Sequence, residues 1–511
     1  MKNESTVKPT IDEIAKFCKR KGFVYPSSDI YGGLAGIFDY GPLGVELKNN
    51  IKREWWITHV QQRDDIVGID GAILSHQKLW EASGHLSGFS DVLLECKKCN
   101  NKVRGDIFLE DQLEISTEGL KFNDINEIIR KNKLRCLKCG GEFKDATDFN
   151  LMFPVHVGAG KENNSIAYLR GETAQLIFAN FKNVAENSRL KLPFGIAQVG
   201  KAFRNEIAPR NFLFRCREFE QMEIEYFTKP NDNKCPYINE FLNHKIKIYS
   251  SGMQEKNQKE KNMTIKEVLD KKIIKNEWHA YWLIYQYNWF VNLGVKPENF
   301  RIRQHKKTEL AHYSTDCWDL EYNFPFGFKE LEGIADRSDY DLKQHIKHSK
   351  QDLSIFDEAT KSRIIPHVVA EPSLGVDRAF LVFMFDAYDY DKKRENIILK
   401  LNPKLSPIKV AIFPLENELE EGARKIYNDL KREFKCFFDI SGSIGKRYAR
   451  QDENGTPFCI TYDFDSEKNN DVTIRERDTT KQIRVKISEL KNIIKELING
   501  ADLTKFGGIL N

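Results

Sequence analysis

Residues 201–227 read K-A-F-R-N-E-I-A-P-R-N-F-L-F-R-C-R-E-F-E-Q-M-E-I-E-Y-F. Two runs with strand character flank a loop centred on Ala208, Pro209, Arg210 and Asn211. Pro209 and Asn211 are turn formers, so the stretch predicts a hairpin. Arg204 and Glu206 are two apart on the first arm, which on a strand aims both at one face. The second arm carries Arg215, Arg217, Phe219 and Glu223. Such a face offers cations to phosphates, an aromatic ring to a base and carboxylates to an ammonium. A charged, solvated hairpin would use the same residue types, so the chemistry depends on what else the chain supplies.

It supplies several further groups. Cys96-Lys97-Lys98-Cys99 is answered by Cys136-Leu137-Lys138-Cys139-Gly140-Gly141. Two C-x-x-C pairs can meet as knuckles and give four sulfur ligands, the set that suits tetrahedral zinc. The glycines permit the tight turn a knuckle needs. The site would be closed and structural, with no position left for catalysis. Tyr168-Leu169-Arg170-Gly171-Glu172-Thr173-Ala174-Gln175 puts a carboxylate just before a helix expected from Thr173 to Phe181. Residues 318–322 and 327–337 read as a strand pair, on which Glu330 and Glu332 would share one face. Residues 368–378, V-V-A-E-P-S-L-G-V-D-R, read as strand, turn and helix, with Arg378 opening the helix. A cation is disfavoured at a helix start, so a capping role for Arg378 is weak and a phosphate-binding role stronger.

The order F-R-N-E, loop, R-x-x-x-F resembles motif 2 of the class II aminoacyl-tRNA synthetases, and residues 368–378 resemble motif 3. Residues 39–56, D-Y-G-P-L-G-V-E-L-K-N-N-I-K-R-E-W-W, resemble the motif 1 helix of the glycyl-tRNA synthetases, which in that family contributes to a dimer interface. The R-G-E-T-A-Q run at 170–175 resembles their R-P-E-T-A-Q-G segment, with Gly171 in place of proline and Leu176 in place of glycine. With the three motifs in family order and the likeness running through nearly the whole chain, the resemblance implies a glycyl-tRNA synthetase of the homodimeric type.

That resemblance implies an ATP site of Arg204, Asn205, Glu206, Phe214, Arg215, Phe219, Glu330, Leu331, Gly375 and Arg378. Arg204 would hold the α-phosphate and the amino-acid carboxylate, and Arg215 and Arg378 the far phosphates. Glu206 would accept from the adenine amino group while Phe219 stacks on the ring. Glu330 would hold magnesium at the leaving pyrophosphate. The implied glycine site is Arg104, Glu172, Phe219, Glu220, Gln221, Met222, Glu223, Glu371 and Ser373. Arg104 enters because Arg104 and Asp106 match part of a family Arg-Ala-Asp-His segment. Three carboxylates around one ammonium make sense for a substrate with no side chain to grip. A tight pocket rejects alanine by clash, without editing, and no H-x-x-x-H editing signature occurs in the chain.

The elements that must position these groups fall into an α+β class II synthetase core, an antiparallel sheet flanked by helices. It carries a zinc-ribbon-like insertion and is followed by a C-terminal α/β anticodon-binding domain. The expected boundaries are 1–95 and 150–402 for the core, 96–149 for the zinc-binding insertion, 230–275 for a second insertion, and 405–511 for the anticodon-binding domain. Thr10-Ile11-Asp12-Glu13 is a capping box that opens a helix to about Lys21. Residues 45–56 are expected as a helix with a stripe of Val45, Leu47, Ile51, Trp55 and Trp56. Residues 230–275 are rich in lysine and asparagine and lose periodicity, which predicts a partly mobile insertion outside the core. Residues 278–291 are expected as an aromatic-rich core helix. Past Pro403 and Pro407, strand and helix alternate as in a separate domain. Gly442-Ser443-Ile444-Gly445-Lys446 lacks the P-loop glycine spacing and its Ser/Thr. His345 and His348 read as surface residues.

Composition fits this reading. At 511 residues, two or three domains are expected. A net charge of +4 is small for the length, so any surface for tRNA must be local. Ten cysteines, four of them in C-x-x-C pairs, argue for a reducing compartment, here the cytoplasm, over a disulfide framework. Residues 1–9 are polar, which predicts no signal peptide, and no apolar run is long enough to span a membrane. The partners expected are tRNA(Gly), glycine, ATP and a second copy of the chain. A non-catalytic relative would be expected to lose phosphate-binding residues, yet Arg204, Glu206, Phe219 and Arg378 are all present. A synthetase for serine, threonine or proline is disfavoured by the R-G-E-T-A-Q run and the paired carboxylates.

Overall fold

The computed structural model describes residues 8–510 except 116, 118, 119, 121, 159–165 and 359. Most of the polar N-terminal stretch 1–9 therefore lies outside the described residues. Its centre is a nine-stranded sheet. In chain order the strands are β1 (Ile66–Ile69), β2 (Phe194–Phe203), β3 (Glu218–Thr228), β4 (Lys245–Tyr249) and β5 (Lys261–Thr264). Next come β6 (Phe300–Gln304), β7 (Asp316–Phe324), β8 (Gly327–Asp336) and β9 (His367–Gly375). Their spatial order is β5-β4-β6-β7-β8-β9-β3-β2-β1. The central pairs are antiparallel, while β1–β2 and β4–β6 are parallel.

One face of the sheet packs on three helices, α1 (Pro42–Trp56), α3 (Glu277–Asn292) and α5 (Val376–Ala387). Met222 and Ile224 of β3 and Leu374 of β9 point into this core and are fully buried. The other face is partly covered by α2 (Ala174–Asn187) and α4 (Tyr340–Ser349), which meet Phe194, Ile196 and Phe227. The rest of that face is left open. Alternation along the strands gives each face its own row of side chains, and here the row away from α1, α3 and α5 carries the chemistry.

Thr10 and Glu13 form the expected capping box on the helix Ile11–Lys21. Helix α1 begins three residues earlier than the apolar stripe suggested, with Pro42 at its first position, where a missing N–H costs nothing. Leu47, Ile51 and Trp55 are buried as expected, but Val45 is 42% exposed. Helix α2 runs through Asn187, past the expected Phe181.

The stretch 230–275 is a correction. It contains β4 and β5, which extend the central sheet, and Ile246, Ile248, Met263, Ile265 and Val268 are buried against the main core. Its apolar residues are few and spaced by lysines, so the period-2 signal was hidden by a polar outer face. The cysteine-containing stretch forms a small sheet of Ser90–Glu95, Lys102–Arg104 and Thr147–Asn150 with two helices, Gly105–Leu113 and Phe122–Lys131. Its first strand thus precedes residue 96. The C-terminal part is a five-stranded sheet of Val410–Pro414, Cys436–Phe438, Phe458–Tyr462, Asp471–Glu476 and Gln482–Lys486 with its own core. Residues 444–446 lie in the first turn of a helix, Ile444–Asn454, that alternation had not suggested. Among the described residues no helix is long and apolar enough to cross a membrane.

One buried contact ties helices α1 and α5 to the motif-bearing strand. Asp377, in the first turn of α5, accepts from Lys48 Nζ of α1 at 3.1 Å, from the Glu220 N–H of β3 at 2.8 Å, and from Tyr40 Oη. Burial would raise the Asp377 carboxyl; Lys48, Tyr40 and the Glu220 N–H outweigh it and hold the group below its ordinary range. Asp377→Asn should cost about 3 kcal/mol, the lower end for breaking a buried ion pair, because Glu220 still faces Lys48. A carboxyl lowered on folding contributes stability above the ordinary carboxylate range and loses it as pH falls through the folded value. Thermal melts should therefore show the gap between wild type and Asp377→Asn beginning to close below about pH 4. A gap that stays constant into acid would mean that shape, not charge, holds this corner.

Candidate active site

The β2–β3 hairpin forms, with Ala202 opposite Phe219 and Gln198 opposite Glu223. Its ladder stops earlier than the sequence implied. Arg204 and Glu206 lie just past β2, and Arg215 and Arg217 just before β3. The backbone bond from Arg204 N–H to Arg217 C=O (2.9 Å) closes the last rung, and the loop then folds through a 3₁₀ turn at Phe212–Phe214. Gly36 buttresses the loop tip. It has φ +72°, and a β-carbon there would sit 2.4 Å from Pro209.

Together with β8, β9 and the start of α5, this loop encloses a cleft lined by Arg204, Glu206, Phe214, Arg215, Phe219, Gln221, Glu330, Leu331, Ser373, Gly375 and Arg378. The Arg204 guanidinium lies 5.3 Å from the Phe219 ring and 5.1 Å from Phe89, and its Nε donates to Gly171 C=O at 3.1 Å. Arg378 donates from Nη1 to Glu330 Oε1 (3.0 Å) and stacks on Phe214 at 4.7 Å. The positive charge of Arg378, with His305 and Arg204, holds the Glu330 carboxyl below its ordinary range. Glu206 faces Arg215 Nε at 3.9 Å. A cleft with three arginines, two rings and a rim carboxylate can take up a polyphosphate, stack a base and hold a divalent cation.

Beneath the floor made by Gln221 and Ser373 lies a buried acidic pocket. Ser373 Oγ donates to Glu223 Oε1 at 2.7 Å, Gln221 Nε2 reaches Ser373 Oγ at 3.1 Å, and Thr173 Oγ1 donates to Glu223 Oε2. Glu172 receives Gln175 Nε2 at 3.0 Å and faces His85 Nε2 at 3.4 Å. Arg337, 1% exposed, forks onto Asp341 at 2.7 and 2.8 Å, meets Glu371 Oε1 at 2.8 Å and lies 3.9 Å from Glu172. Its guanidinium rests on the Tyr313 ring at 3.8 Å. Burial would raise the Glu172 carboxyl, but His85, Arg337 and Gln175 outweigh it and keep it low. Burial raises Glu223 and Glu371, and neighbouring carboxylates add to this.

Several expected site residues fall elsewhere. Glu220 and Met222 alternate with Phe219, Gln221 and Glu223, so they point away from the cleft. Glu220 meets Lys48 and Lys52, and Met222 is core. Arg104 is committed to Asp91 (2.9 Å) and Asp106 (2.7 Å) and does not line the cleft. Asn205 uses its N–H on Leu151 C=O and is also absent from the lining. Glu330 and Glu332 do not share a face. Glu321 pairs with Glu330 but Leu320 with Glu332, so a bulge at Leu331 turns the two carboxylates apart. Glu332 is fully buried with neither oxygen hydrogen-bonded, and burial pushes it well above the usual range. His348 is exposed, but His345 is buried and its Nε2 holds Gln175 Oε1 at 2.9 Å. Asp377, Arg337, Asp341, Gln175, His85 and Glu225 were not anticipated. Glu225 had a local signal, its spacing of two from Glu223 on one strand, and Gln175 stands in the 170–175 run three residues after Glu172.

In the cysteine insertion, Cys96 Sγ lies 3.5 Å from Cys139 Sγ, and Cys99 Sγ 3.7 Å from Cys136 Sγ. All four sulfurs fall within 4.8 Å of one another. Sulfurs bound tetrahedrally at about 2.3 Å from zinc would be about 3.8 Å apart, so the donor set fits that ion. A β-carbon at Gly141 would press to 3.0 Å from Cys96 Sγ, which is why glycine closes this knuckle.

An antiparallel sheet presenting a strand-loop-strand arginine cleft against a strand-turn-helix arginine, followed by a separate C-terminal α/β domain, defines a class II aminoacyl-tRNA synthetase. Residues 153–383 match the family model described as tRNA synthetase class II core domain (G, H, P, S and T), and residues 409–497 match Anticodon binding domain. The chain is 48% identical over 498 residues to the glycine–tRNA ligase of Caldanaerobacter subterraneus subsp. tengcongensis, covering 96% of this chain and 99% of that protein. It is 46% identical over 507 residues to that of Geobacillus thermodenitrificans (98% and 100%) and 47% over 499 residues to that of Clostridium beijerinckii (96% and 98%). The chain belongs to the glycine–tRNA ligase family.

Proposed function

We propose that the cleft activates glycine with ATP to glycyl-adenylate and then passes glycine to the 3′ end of tRNA(Gly). The observation that carries this reading is the acidic pocket of Glu172, Glu223 and Glu371 set directly beneath an arginine-lined cleft. Activation is attack of the glycine carboxylate on the α-phosphate. Two anions must approach, so preorganised cations are needed where charge develops. Arg204 is proposed to span the α-phosphate and the glycine carboxylate, with Arg215 and Arg378 on the outer phosphates. Glu206 is assigned to the adenine amino group, and Phe219 and Phe214 to the base. Magnesium supplied with ATP would neutralise the leaving pyrophosphate, with Glu330 as its protein ligand. A carboxylate nucleophile needs no general base. The second step, attack by a tRNA hydroxyl, is largely positioning. The ammonium is assigned to Glu172, Glu223, Glu371 and Ser373.

The same reading assigns structural zinc to Cys96, Cys99, Cys136 and Cys139, and a homodimer to the face carrying α1, where Val45 is left exposed. It divides the chain into a catalytic core, an insertion that opens with the strand Ser90–Glu95 and closes with Thr147–Asn150, and an anticodon-binding domain at 405–511, working in the cytoplasm.

ATP–pyrophosphate exchange over the twenty amino acids tests the reading directly, and glycine should be the amino acid activated best. Arg378→Ala should lower exchange by about 10²–10³ while the protein stays folded. Near-normal exchange would reduce Arg378 to a structural partner of Glu330. Glu172→Gln should raise the glycine KM about ten- to a hundredfold, the worth of a charge-assisted hydrogen bond, and move the ATP KM little. Unchanged glycine affinity would remove Glu172 from the ammonium site. Purified protein should carry about one zinc per chain, and Cys136→Ser should lower both the zinc content and the stability of the insertion. Absence of zinc from protein never exposed to chelator would refute that assignment.

A further inference from the structure

Glu225 has no part in the site as assigned above, yet it stands directly behind it. On β3 it is two residues from Glu223 and shares its face. Glu223 pairs with Ser373 and Tyr226 with Ala370, so the register sets Glu225 beside Glu371 of β9. Carboxylate oxygens of Glu223, Glu225 and Glu371 lie within 4.8 Å of one another. Glu225 is 0% exposed, and neither of its oxygens has a hydrogen-bond partner. Like charges placed side by side on a sheet repel, and burial sharpens the conflict.

The surrounding charges do not resolve it. From β3 the group faces Glu223, from β9 Glu371, and from the end of β8 and from α4 Arg337 and Asp341. Glu172, His85 and Tyr313 stand one layer further, around Glu371 and Arg337. The neighbouring β2 contributes Ile196, opposite Glu225, and Gln198, opposite Glu223, neither of which titrates. Among the described residues Arg337 is the one cation facing Glu225, and it is already engaged by Asp341 and Glu371. A third carboxylate in this space has no countercharge until a cation arrives.

We propose that glycine binding is a proton exchange: the substrate ammonium enters as a proton leaves the Glu223–Glu225–Glu371 cluster, and Glu225 is the additional acid that makes the cluster hold that proton. The inference rests on the reading of this pocket as the ammonium site. Before binding, one O–H bond of a carboxylic acid keeps the cluster's charge tolerable. On binding, that bond breaks, the proton passes to solvent, and the new carboxylate pairs with the ammonium. Burial, then the charges of Glu371 and Glu223, push Glu225 well above the usual carboxylate range, in keeping with a retained proton. Glu225 acts through Glu223 and Glu371 and is a positioning residue. The exchange accounts for a pocket with more acid than one ammonium needs. It also makes a positive charge on the ligand, rather than mere fit, the condition for emptying the proton.

Calorimetric titration of glycine into the full chain tests this in buffers of one pH and different ionisation enthalpies, with and without magnesium. Near neutral pH the heats should vary with buffer by the amount expected for about one proton released per glycine. Glycine affinity should rise with pH by up to tenfold per unit over the range in which the cluster holds the proton. Glu225→Gln should release far less and flatten that pH profile, with the ATP KM unmoved. Glycine binding with the same heat in every buffer would overturn the proposal. So would full release from Glu225→Gln, or release that appears only when magnesium is present, which would make the cluster a cation site. The buffer series on the wild type decides the matter even if Glu225→Gln fails to fold. Failure of glycine to bind or to support exchange would instead overturn the reading of the pocket itself.

Discussion

The arrangement depends on one buried cation. Arg337 is 1% exposed and holds Asp341 and Glu371 directly, with Glu172 at 3.9 Å. Burying several carboxylates beside each other is costly unless each finds a countercharge or hydrogen bonds. A guanidinium suits this place because its planar fork serves two carboxylates at once and its face can rest on a ring, here Tyr313. Neutral donors add to this, Thr173, Ser373 and Gln221 at Glu223 and Gln175 at Glu172, while Glu225 has no hydrogen-bond partner. Gln175 is in turn oriented by His345.

Around that pocket the sheet performs a sorting task. Strand alternation sends Phe219, Gln221, Glu223 and Glu225 to the face that carries the site and Glu220, Met222 and Ile224 to the face packed on α1, α3 and α5. The packed face is locked by Asp377, which joins α1, α5 and β3 in one buried cluster. The other face can then border half-buried arginines without disturbing the core. The bulge at Leu331 is the local exception. It brings Glu330 to the rim beside Arg378 while turning Glu332 inward. Bulges of this kind re-aim a side chain next to a functional site.

Much of this could be read from residue order. The motif-bearing hairpin, the strand-turn-helix around Arg378, the capped first helix, the paired cysteines and the separate C-terminal domain all rest on local patterns: turn formers, periodicity and C-x-x-C spacing. Such signals survive in one dimension because they describe neighbours in the chain. The errors have the same origin. A continuous binding run over 219–223 conflicts with alternation within the strand, and setting Glu330 with Glu332 on one face needs a regular ladder where a bulge intervenes. The lysine-rich stretch 230–275 reads as a mobile insertion because its buried residues, Ile246, Ile248 and Met263 among them, are thinly spread.

By itself, then, the sequence determined which chemistry is available: arginines for phosphate, a ring for a base, an excess of carboxylates for an ammonium and four thiols for a metal. Tertiary structure decided which of these groups meet. Arg337 and Asp341 are one helical turn apart, but Glu371, Glu172 and Glu225 come from three other places in the chain, and no local spacing relates them. Arg104 looked available and is spent on Asp91 and Asp106. His345 looked solvated and is buried against Gln175. The physical reason is common to all of them. Whether a charge is free, paired or silenced depends on the medium and the neighbours that folding brings to it, and only the packed sheet and helices fix those.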